Sequence, residues 1–414
     1  MITKIFKIAL RNVLKNKRRT FLNVLTIGLN VFIILYGLGM MKGQFDSMFE
    51  KIINLGSGHF KIYNKDYVDE KTMMPLDVNI KNPDEVIKRI EKIPYFKGAT
   101  KRIVHTGIIS NTKKKLNVVI TGVDMKKEKE LFETFSNIKG SVAGGGSSGV
   151  VVGKKLSELL DVEEGNRLLL FSQTRQSANN LVDVNTTGIY SNGYKMMEKT
   201  KVFIPLKYAE SFMDMDNMAT EIVVMLDKSS HVAAAGKQLA SIIENEFPGL
   251  VLLDWQEENP DLIEMARMKY ANMIVIILVL VFLAVFIITN TLTMAVFERI
   301  PEIGTIRAIG MGAGQVRLMF LMEGVVLGLF GLIAGYIMAG PLIYYLSTTG
   351  IILPAESMES FDMPMDATMK AVTSYKDYIF AAVVCFAAGI IGSIMPARRA
   401  AKVNIVKALK KGVR

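Results

Sequence analysis

Four stretches of the chain are apolar and carry no charged residue over 20 positions or more. These uncharged windows run over residues 20–41, 270–297, 324–355 and 378–397. A helix of about 20 apolar residues crosses a hydrocarbon core about 30 Å thick. The pattern therefore predicts four transmembrane helices, which we assign to residues 20–41, 270–297, 318–347 and 378–397. The first window is longer than the apolar core of a signal peptide, and no A-x-A cleavage site follows it.

Between the first two spans, residues 42–269 alternate between strand-like and helix-like patterns. We expect strands near residues 60–62, 101–110, 116–123, 149–152, 201–205 and 220–226, and helices near 83–93, 124–135 and 232–247. Residues 172–200 are polar and predict an irregular inserted subdomain. The expected fold class is a polytopic α-helical membrane protein with a large extracytoplasmic α/β domain between helices 1 and 2, built from βαβ units.

The net charge of +11 is concentrated in two short tails. Residues 1–19 and residues 398–414 each carry seven cations and no anion, whereas residues 42–269 carry 31 basic and 31 acidic side chains. Cytoplasmic segments are enriched in Lys and Arg, so both termini and the loop 298–317 are predicted to be cytoplasmic. The 42–269 domain and the acidic loop 348–377 then lie outside. This distribution argues against a nucleic-acid partner.

The first 19 residues form a basic segment with an apolar side. Ile5, Ala9 and Val13 recur at helical spacing, and Lys7 and Arg11 share the opposite side. Such a helix can lie at the cytoplasmic interface, with its cations at anionic headgroups. The alternative is that these residues are only the positive flank of the first span, and the sequence leaves both interpretations open.

No catalytic or metal site is predicted. The three histidines are widely separated, no serine lies in a nucleophile motif, and the single Cys385 excludes a cysteine-based zinc site within one chain. The stretch from Gly149 to Lys155 differs from a phosphate-binding loop, because three residues instead of four separate its glycines. We therefore expect neither an enzyme nor a cofactor on this chain.

The third span contains two pairs of small residues at a spacing of four. They are Gly324 with Gly328 and Gly331 with Gly335. Glycine at this spacing lets helix backbones approach closely in lipid, so these positions predict helix packing. Polar residues in the first two spans, such as Asn23 and Asn30, are expected either to line a cavity or to bond between helices. Glu323, at the edge of the third span, is expected to reach headgroups or the neighbouring loop.

The loop after the second span has the features of a short capped helix. Residues 298–310 read ERIPEIGTIRAIG, with Glu302 near the start, Arg307 near the end, and Gly310 as a terminator. Ile303, Ile306 and Ala308 to Ile309 are expected to form a short apolar face. A rigid helix on the cytoplasmic side predicts a ridge that fits the groove of a soluble partner.

This loop resembles the coupling-helix loop of MacB/FtsX-type ABC transporter permeases. The ERxxEIGxxRAxG pattern is matched at Glu298, Arg299, Glu302, Ile303, Gly304, Arg307, Ala308 and Gly310. Residues 396–409 resemble the basic ending of the family, with Asn404-Ile405 in place of the usual proline-bearing pair. Residues 58–62, 151–170 and 254–269 resemble further family segments, closest to the lipoprotein-releasing (LolC/LolE) branch.

The resemblance implies a mechanism without a substrate path through the bilayer. A second permease, identical or paralogous, would pair with this chain, and each would dock a separate ABC ATPase that holds ATP and Mg. ATP-driven closure of the ATPases would move a stalk that extends the first two helices outside the membrane, and the periplasmic domains would transmit the force. In the lipoprotein-releasing branch, this movement extracts lipoproteins from the bacterial inner membrane and passes them to a periplasmic carrier. The alternatives are a MacB-like exporter of peptides, toxins or macrolides and, less favoured, an FtsX-like regulator of cell-wall hydrolases.

Overall fold

The computed structural model describes residues 2–141, 148–352, 368–406 and 408. These residues form two compact units. The first unit draws on residues 1–45, 265–352 and 368–414, and the second is residues 46–264. Residues 353–367 of the predicted outer loop and residues 407 and 409–414 of the predicted basic tail lie outside the described residues.

The helices and strands follow in chain order. The helices are α1 (Ile2–Lys15), α2 (Lys17–Ile52), α3 (Lys65–Asp69), α4 (Pro83–Ile90), α5 (Met125–Leu131), α6 (Lys154–Leu160), α7 (Lys195–Thr200), α8 (Leu206–Met213), α9 (Val232–Glu246), α10 (Trp255–Glu258), α11 (Pro260–Glu298), α12 (Ile300–Ala308), α13 (Ala313–Thr348) and α14 (Tyr375–Ala401). The strands are β1 (Phe60–Asn64), β2 (Ile80–Lys81), β3 (Phe96–Ser110), β4 (Lys115–Val123), β5 (Ile138–Gly140), β6 (Gly149–Gly153), β7 (Arg167–Gln173), β8 (Asn179–Tyr190), β9 (Lys201–Pro205), β10 (Met218–Ala219), β11 (Glu221–Leu226), β12 (Leu250–Asp254), β13 (Ile351–Ile352) and β14 (Thr368–Met369).

Four of the described helices, α2, α11, α13 and α14, are long and apolar enough to cross a membrane. Their outward positions keep large apolar side chains exposed, among them Phe282 at 68% and Ile337 at 68%. Exposed apolar surface on this scale is costly in water and favourable in lipid. At the inner positions, Ile34, Leu35 and Ile288 are buried in a shared apolar core.

The second unit contains a ten-stranded sheet whose main path runs β12-β1-β11-β3-β4-β9-β6-β8-β5. Strand β7 pairs with both β3 and β8, so β3, β4, β9, β6, β8 and β7 close into a ring. Ring closure leaves these strands without a free edge. The core in and around the ring includes Ile103, Ile120, Val152 and Leu170. The α/β fold class of this domain is confirmed.

The strand pairing differs from the βαβ order expected from the sequence. In the described sheet β4 pairs in parallel with β9 and β6 with β8, whereas the other pairs are antiparallel. Residues 172–200 are also not irregular, because they contain the 12-residue strand β8 and the helix α7. The polar side chains of β8 misled the prediction: Asp183 and Asn185 occupy exposed positions that alternate with the buried Val184 and Thr186.

Candidate coupling site between the second and third spans

The loop between the two spans forms helix α12, with a start and an end that its sequence explains. Glu302 lies in the first turn and Arg307 in the last, as the helix dipole favours. After the helix, Gly310 takes a φ of +112°, which a residue with a side chain rarely adopts. The Gly310 amide donates to the Arg307 carbonyl at 3.1 Å, and the Met311 amide donates to the Ile306 carbonyl at 3.2 Å. These two bonds form a Schellman cap.

One side of α12 is anchored inside the first unit. Ile303 is 2% exposed and belongs to a buried cluster with Val316, Phe320 and Ala397. A Cβ atom at Gly304 would lie 2.6 Å from the Cβ of Ala408, so no larger residue fits against the tail there. The Arg307 Nη1 group donates to the Val403 carbonyl at 2.5 Å.

The other side of α12 faces outward. Glu298, Glu302, Ala308 and Gly310 are exposed, and Ile309 is 83% exposed. The apolar face expected from the sequence therefore divides. Ile303 holds the helix in place, whereas Ile309 is an apolar side chain that the described residues leave uncovered. Arg307, half-buried and bonded to the tail, is a less accessible contact than the sequence suggested.

Arg299 joins α12 to the third span. Its guanidinium donates to Glu302 at 3.1 Å and to Glu323 at 3.0 Å, and it lies over the ring of Phe320. Glu323 is 2% exposed and also accepts a bond of 2.8 Å from the Asn12 amide in α1. The bond from Arg299 lowers the pKa of Glu302 below its usual range. Glu323 thus reaches the neighbouring loop, one of the two outcomes expected for it.

Helix α1 lies against the α12 region, a contact that the sequence did not predict. Its apolar residues Ile5, Ala9 and Val13 are buried, and Ile5 packs with residues of α13, so protein covers this face. At the end of α1, Lys15 pairs with Glu302 at 3.4 Å, and at the start of α2, Arg19 pairs with Glu298 at 2.6 Å. The basic spacing of residues 1–19 was the available signal, but it did not identify these acidic partners.

A groove of about 830 Å³ runs between α1 and α12. Its apolar lining includes Ile8, Ile306 and Met319, and its charged lining is Arg11, Lys15, Arg299 and Glu302. A partly apolar groove with three basic residues and one acidic residue suits a short helix or loop of a partner that carries acidic side chains. Among the residues that the structure describes, no group of three His, Cys, Asp or Glu side chains could hold a metal ion.

The four predicted packing glycines contact two different helices. A Cβ atom at Gly324 would lie 2.6 Å from the Gly389 carbonyl oxygen of α14, and one at Gly328 would lie 3.4 Å from the Cys385 carbonyl oxygen. Gly331 and Gly335 face α2 instead. The small residues of α13 therefore allow close backbone approach on two sides of the helix.

Polar side chains of the spans connect neighbouring helices. Thr291 donates to Asn23 at 2.9 Å, Asn30 donates to the Leu280 carbonyl at 3.3 Å, and Thr289 donates to the Gly392 carbonyl at 2.8 Å. Asn23 and Asn30 both bond between helices, and Asn30 also lines a cavity of about 20 Å³, so both roles that the sequence left open are present. Such bonds satisfy polar groups that lipid cannot solvate.

Two family models match the chain. Residues 20–242 match the MacB-like periplasmic core domain, and residues 274–405 match the C-terminal region of FtsX-like permeases. Among curated relatives, the ABC transporter permease YtrF of Bacillus subtilis is 27% identical over 52% of this chain and 49% of its own length. The lipoprotein-releasing protein LolC of Xylella fastidiosa is 22% identical over 64% of this chain and 65% of its own length.

Two further relatives match over more of this chain. The lipoprotein-releasing protein LolE of Haemophilus influenzae is 23% identical over 92% of both chains. The macrolide export protein MacB of Sodalis glossinidius is 23% identical over 97% of this chain and 59% of its own length. Among solved structures, the periplasmic region of MacB from Actinobacillus actinomycetemcomitans covers 50% of this chain and 94% of its own, with 12% identity and a TM-score of 0.36.

Proposed function

Because this chain is an ABC transporter permease of the MacB/FtsX type, we propose that a separate ATPase drives it to extract lipoproteins from the inner membrane. The ATPase binds ATP and Mg and docks on α12, a second permease, identical or paralogous, completes the assembly, and a periplasmic carrier receives the lipoprotein. This arrangement places both termini in the cytoplasm and the 46–264 unit in the periplasm.

The observation that carries the docking proposal is the division of α12 into an anchored side and an exposed side. Ile303 and Gly304 are buried, whereas Ile309 is 83% exposed. A groove with basic residues in its lining lies along the same helix, at Thr305 and Ile306. Burying an isoleucine side chain at an interface contributes about 1.5–3 kcal/mol, which is about 10- to 150-fold in affinity. Because α12 is bonded to α13 through Arg299, a force on the exposed side passes to the third span.

The substrate proposal is supported by the match to LolE over 92% of both chains. Extraction of an acyl chain exposes apolar surface at about 0.8 kcal/mol for each CH₂ group, so a chain of about 12 such groups costs about 10 kcal/mol. Spontaneous release at that cost is negligible, so an energy source in a partner is a physical requirement of this function.

The docking proposal is tested by Ile309→Asp in the transporter assembled with its ATPase. We expect ATPase binding to weaken about 10-fold or more, since the variant places a charge in an apolar interface. Leu181→Asp is the matched control, because Leu181 is 59% exposed on β8 of the other unit. Equal weakening of ATPase binding by both variants, or no weakening by either, would contradict the docking of the ATPase on α12.

The substrate proposal is tested by depleting the chain from cells. Mature lipoproteins should then accumulate in the inner membrane, measured by fractionation and immunoblotting. The second candidate is a MacB-like exporter, which the match to MacB over 97% of this chain favours. Unchanged lipoprotein sorting together with increased sensitivity to macrolides or peptides would establish the exporter and refute lipoprotein release.

A further inference from the structure

A cavity of about 160 Å³ lies against one face of the sheet in the 46–264 unit. Side chains from five neighbouring strands line it, because Lys61 of β1, Glu221 of β11, Arg102 of β3, Thr121 of β4 and Lys201 of β9 project from the same face. The opposite wall includes Leu55, Gly56, Tyr67, Lys71, Glu128 and Glu258. Charged side chains therefore form a buried layer in the interior of this unit.

Three of the four cations in this layer are paired with carboxylates. Lys61 lies 2.9 Å from both Glu221 and Glu258, and Lys71 lies 2.5 Å from Glu258. The Arg102 guanidinium pairs with Glu128 and lies 3.4 Å from Glu221. Burial alone would raise the pKa of Glu221, but Lys61 and Arg102 lower it to about 2, so this carboxylate stays charged.

Lys201 is the fourth cation, and it forms no ion pair with the residues that the structure describes. The cavity lining then has four formal positive charges, on Lys61, Lys71, Arg102 and Lys201, and three negative charges, on the glutamates. Burial, together with nearby Lys61, lowers the pKa of Lys201 to about 8. At pH 7 the ammonium form still predominates, and a half-buried charge without a partner is destabilising.

A second observation points to a ligand at the same place. Thr121 is 3% exposed, lines the cavity, and its Oγ1 atom has no hydrogen-bond partner. Buried hydroxyl groups are normally bonded, because a buried hydroxyl without a partner is destabilising. An acceptor placed between Lys201 and Thr121 satisfies the hydroxyl donor and the excess positive charge together.

We propose that this cavity binds one small monovalent anion, a halide or a short carboxylate, between the Lys201 ammonium group and the Thr121 hydroxyl group. Both groups donate, and a single negative charge balances the lining. The volume limits the ligand, because one water occupies about 30 Å³ of liquid and the cavity holds only a few atoms of that size. The π-helical turn Ile53–Ser57 contributes Leu55 and Gly56 to the wall, so occupancy stabilises the point where the chain enters this unit.

The test is thermal unfolding of the full chain in an uncharged detergent at pH 7, followed by fluorescence of the single tryptophan, Trp255. Sodium chloride, bromide and formate are compared with sodium gluconate at equal ionic strength. We expect a saturable rise in the melting temperature with at least one small anion and not with gluconate. A rise with halides alone identifies a halide site, and a rise with formate alone identifies a carboxylate site.

Variants separate a bound anion from a general salt effect. Lys201→Met should abolish the anion-dependent rise, and Thr121→Val, which keeps the packing, should weaken anion affinity about 10-fold. Lys237→Met removes an exposed lysine of α9 and should behave as wild type. Broadening of the ³⁵Cl resonance by wild type, reversed by bromide and absent in Lys201→Met, tests a halide site directly. Equal responses to all four salts, or unchanged responses in Lys201→Met, would overturn the proposal.

Discussion

Replacing Glu323 by glutamine tests whether the charge of this residue holds α12 on the third span. The same oxygen, Oε1, accepts both the Arg299 and the Asn12 bonds, at 3.0 and 2.8 Å. Glutamine keeps the size of the side chain and an acceptor oxygen at this place. The variant therefore removes the negative charge and little else, and Arg299 retains its bond to Glu302.

The free energy that Glu323→Gln is expected to lose follows from the two hydrogen bonds that Glu323 accepts. A hydrogen bond to a charged group contributes about 1.5–3 kcal/mol and a neutral one about 0.5–1.5 kcal/mol, so losing the charge costs about 1 kcal/mol for each bond. The total of about 2 kcal/mol corresponds to about a 30-fold change in an equilibrium constant. Because Arg299 precedes α12, this loss applies to local opening of the helix rather than to unfolding of the chain.

Amide hydrogen exchange of residues 300–308 measures that opening. In Glu323→Gln we expect exchange about 30-fold faster in α12, with the spans unchanged. Glu244→Gln is the control, since Glu244 is exposed on α9. Exchange in α12 within about threefold of wild type would refute the view that the Glu323 charge anchors the helix. Reduced ATPase stimulation in the same variant would connect the anchor to coupling.

Two further predictions concern packing and pH. Gly331→Leu should destabilise the first unit, because its side chain meets Ile27 of α2, whereas Gly340→Leu in the same helix meets nothing within 4 Å and serves as the control in thermal unfolding. His59 is 3% exposed, and burial lowers its pKa from 6.5 to about 4, so the unfolded chain binds a proton that the folded chain does not. The free energy of unfolding should be at its maximum above pH 6.5 and should fall by about 3 kcal/mol as the pH drops to 4. Trp255 fluorescence in denaturant measures this fall, which should be smaller in His59→Asn.

The sequence predicted those parts of the structure that depend on local pattern. The uncharged windows predicted the spans, because lipid requires long apolar helices and tolerates few charges. Gly310 predicted the end of α12, because its positive φ is a local requirement of the helix cap. Glu298 and Glu302 were also placed in the loop after the second span, although their pairing with Arg19 and Lys15 was not predicted.

The sequence did not predict the features that depend on long-range pairing. Asn12 meets Glu323, a residue 311 positions away, and nothing in the pattern of either segment specifies that contact. The ring of strands closes only because the 15-residue strand β3 is long enough to pair with β7 as well as with β4 and β11. Length and register of this kind arise from tertiary packing, which residue periodicity does not encode.

The 31 basic and 31 acidic side chains of residues 42–269 include a buried group of charges that holds a turn of the chain against the sheet. Arg102, buried among Glu128 and Glu221, also donates to the Gly56 carbonyl at 2.5 Å. Gly56 lies in the turn that follows α2 and has a φ of +118°. Pulling this turn away from the sheet breaks a hydrogen bond to a charged, buried guanidinium, and such a bond contributes about 1.5–3 kcal/mol. This bond, together with the ion pairs from Arg102 to Glu128 and Glu221, therefore holds the turn that follows α2 against β3 and β11.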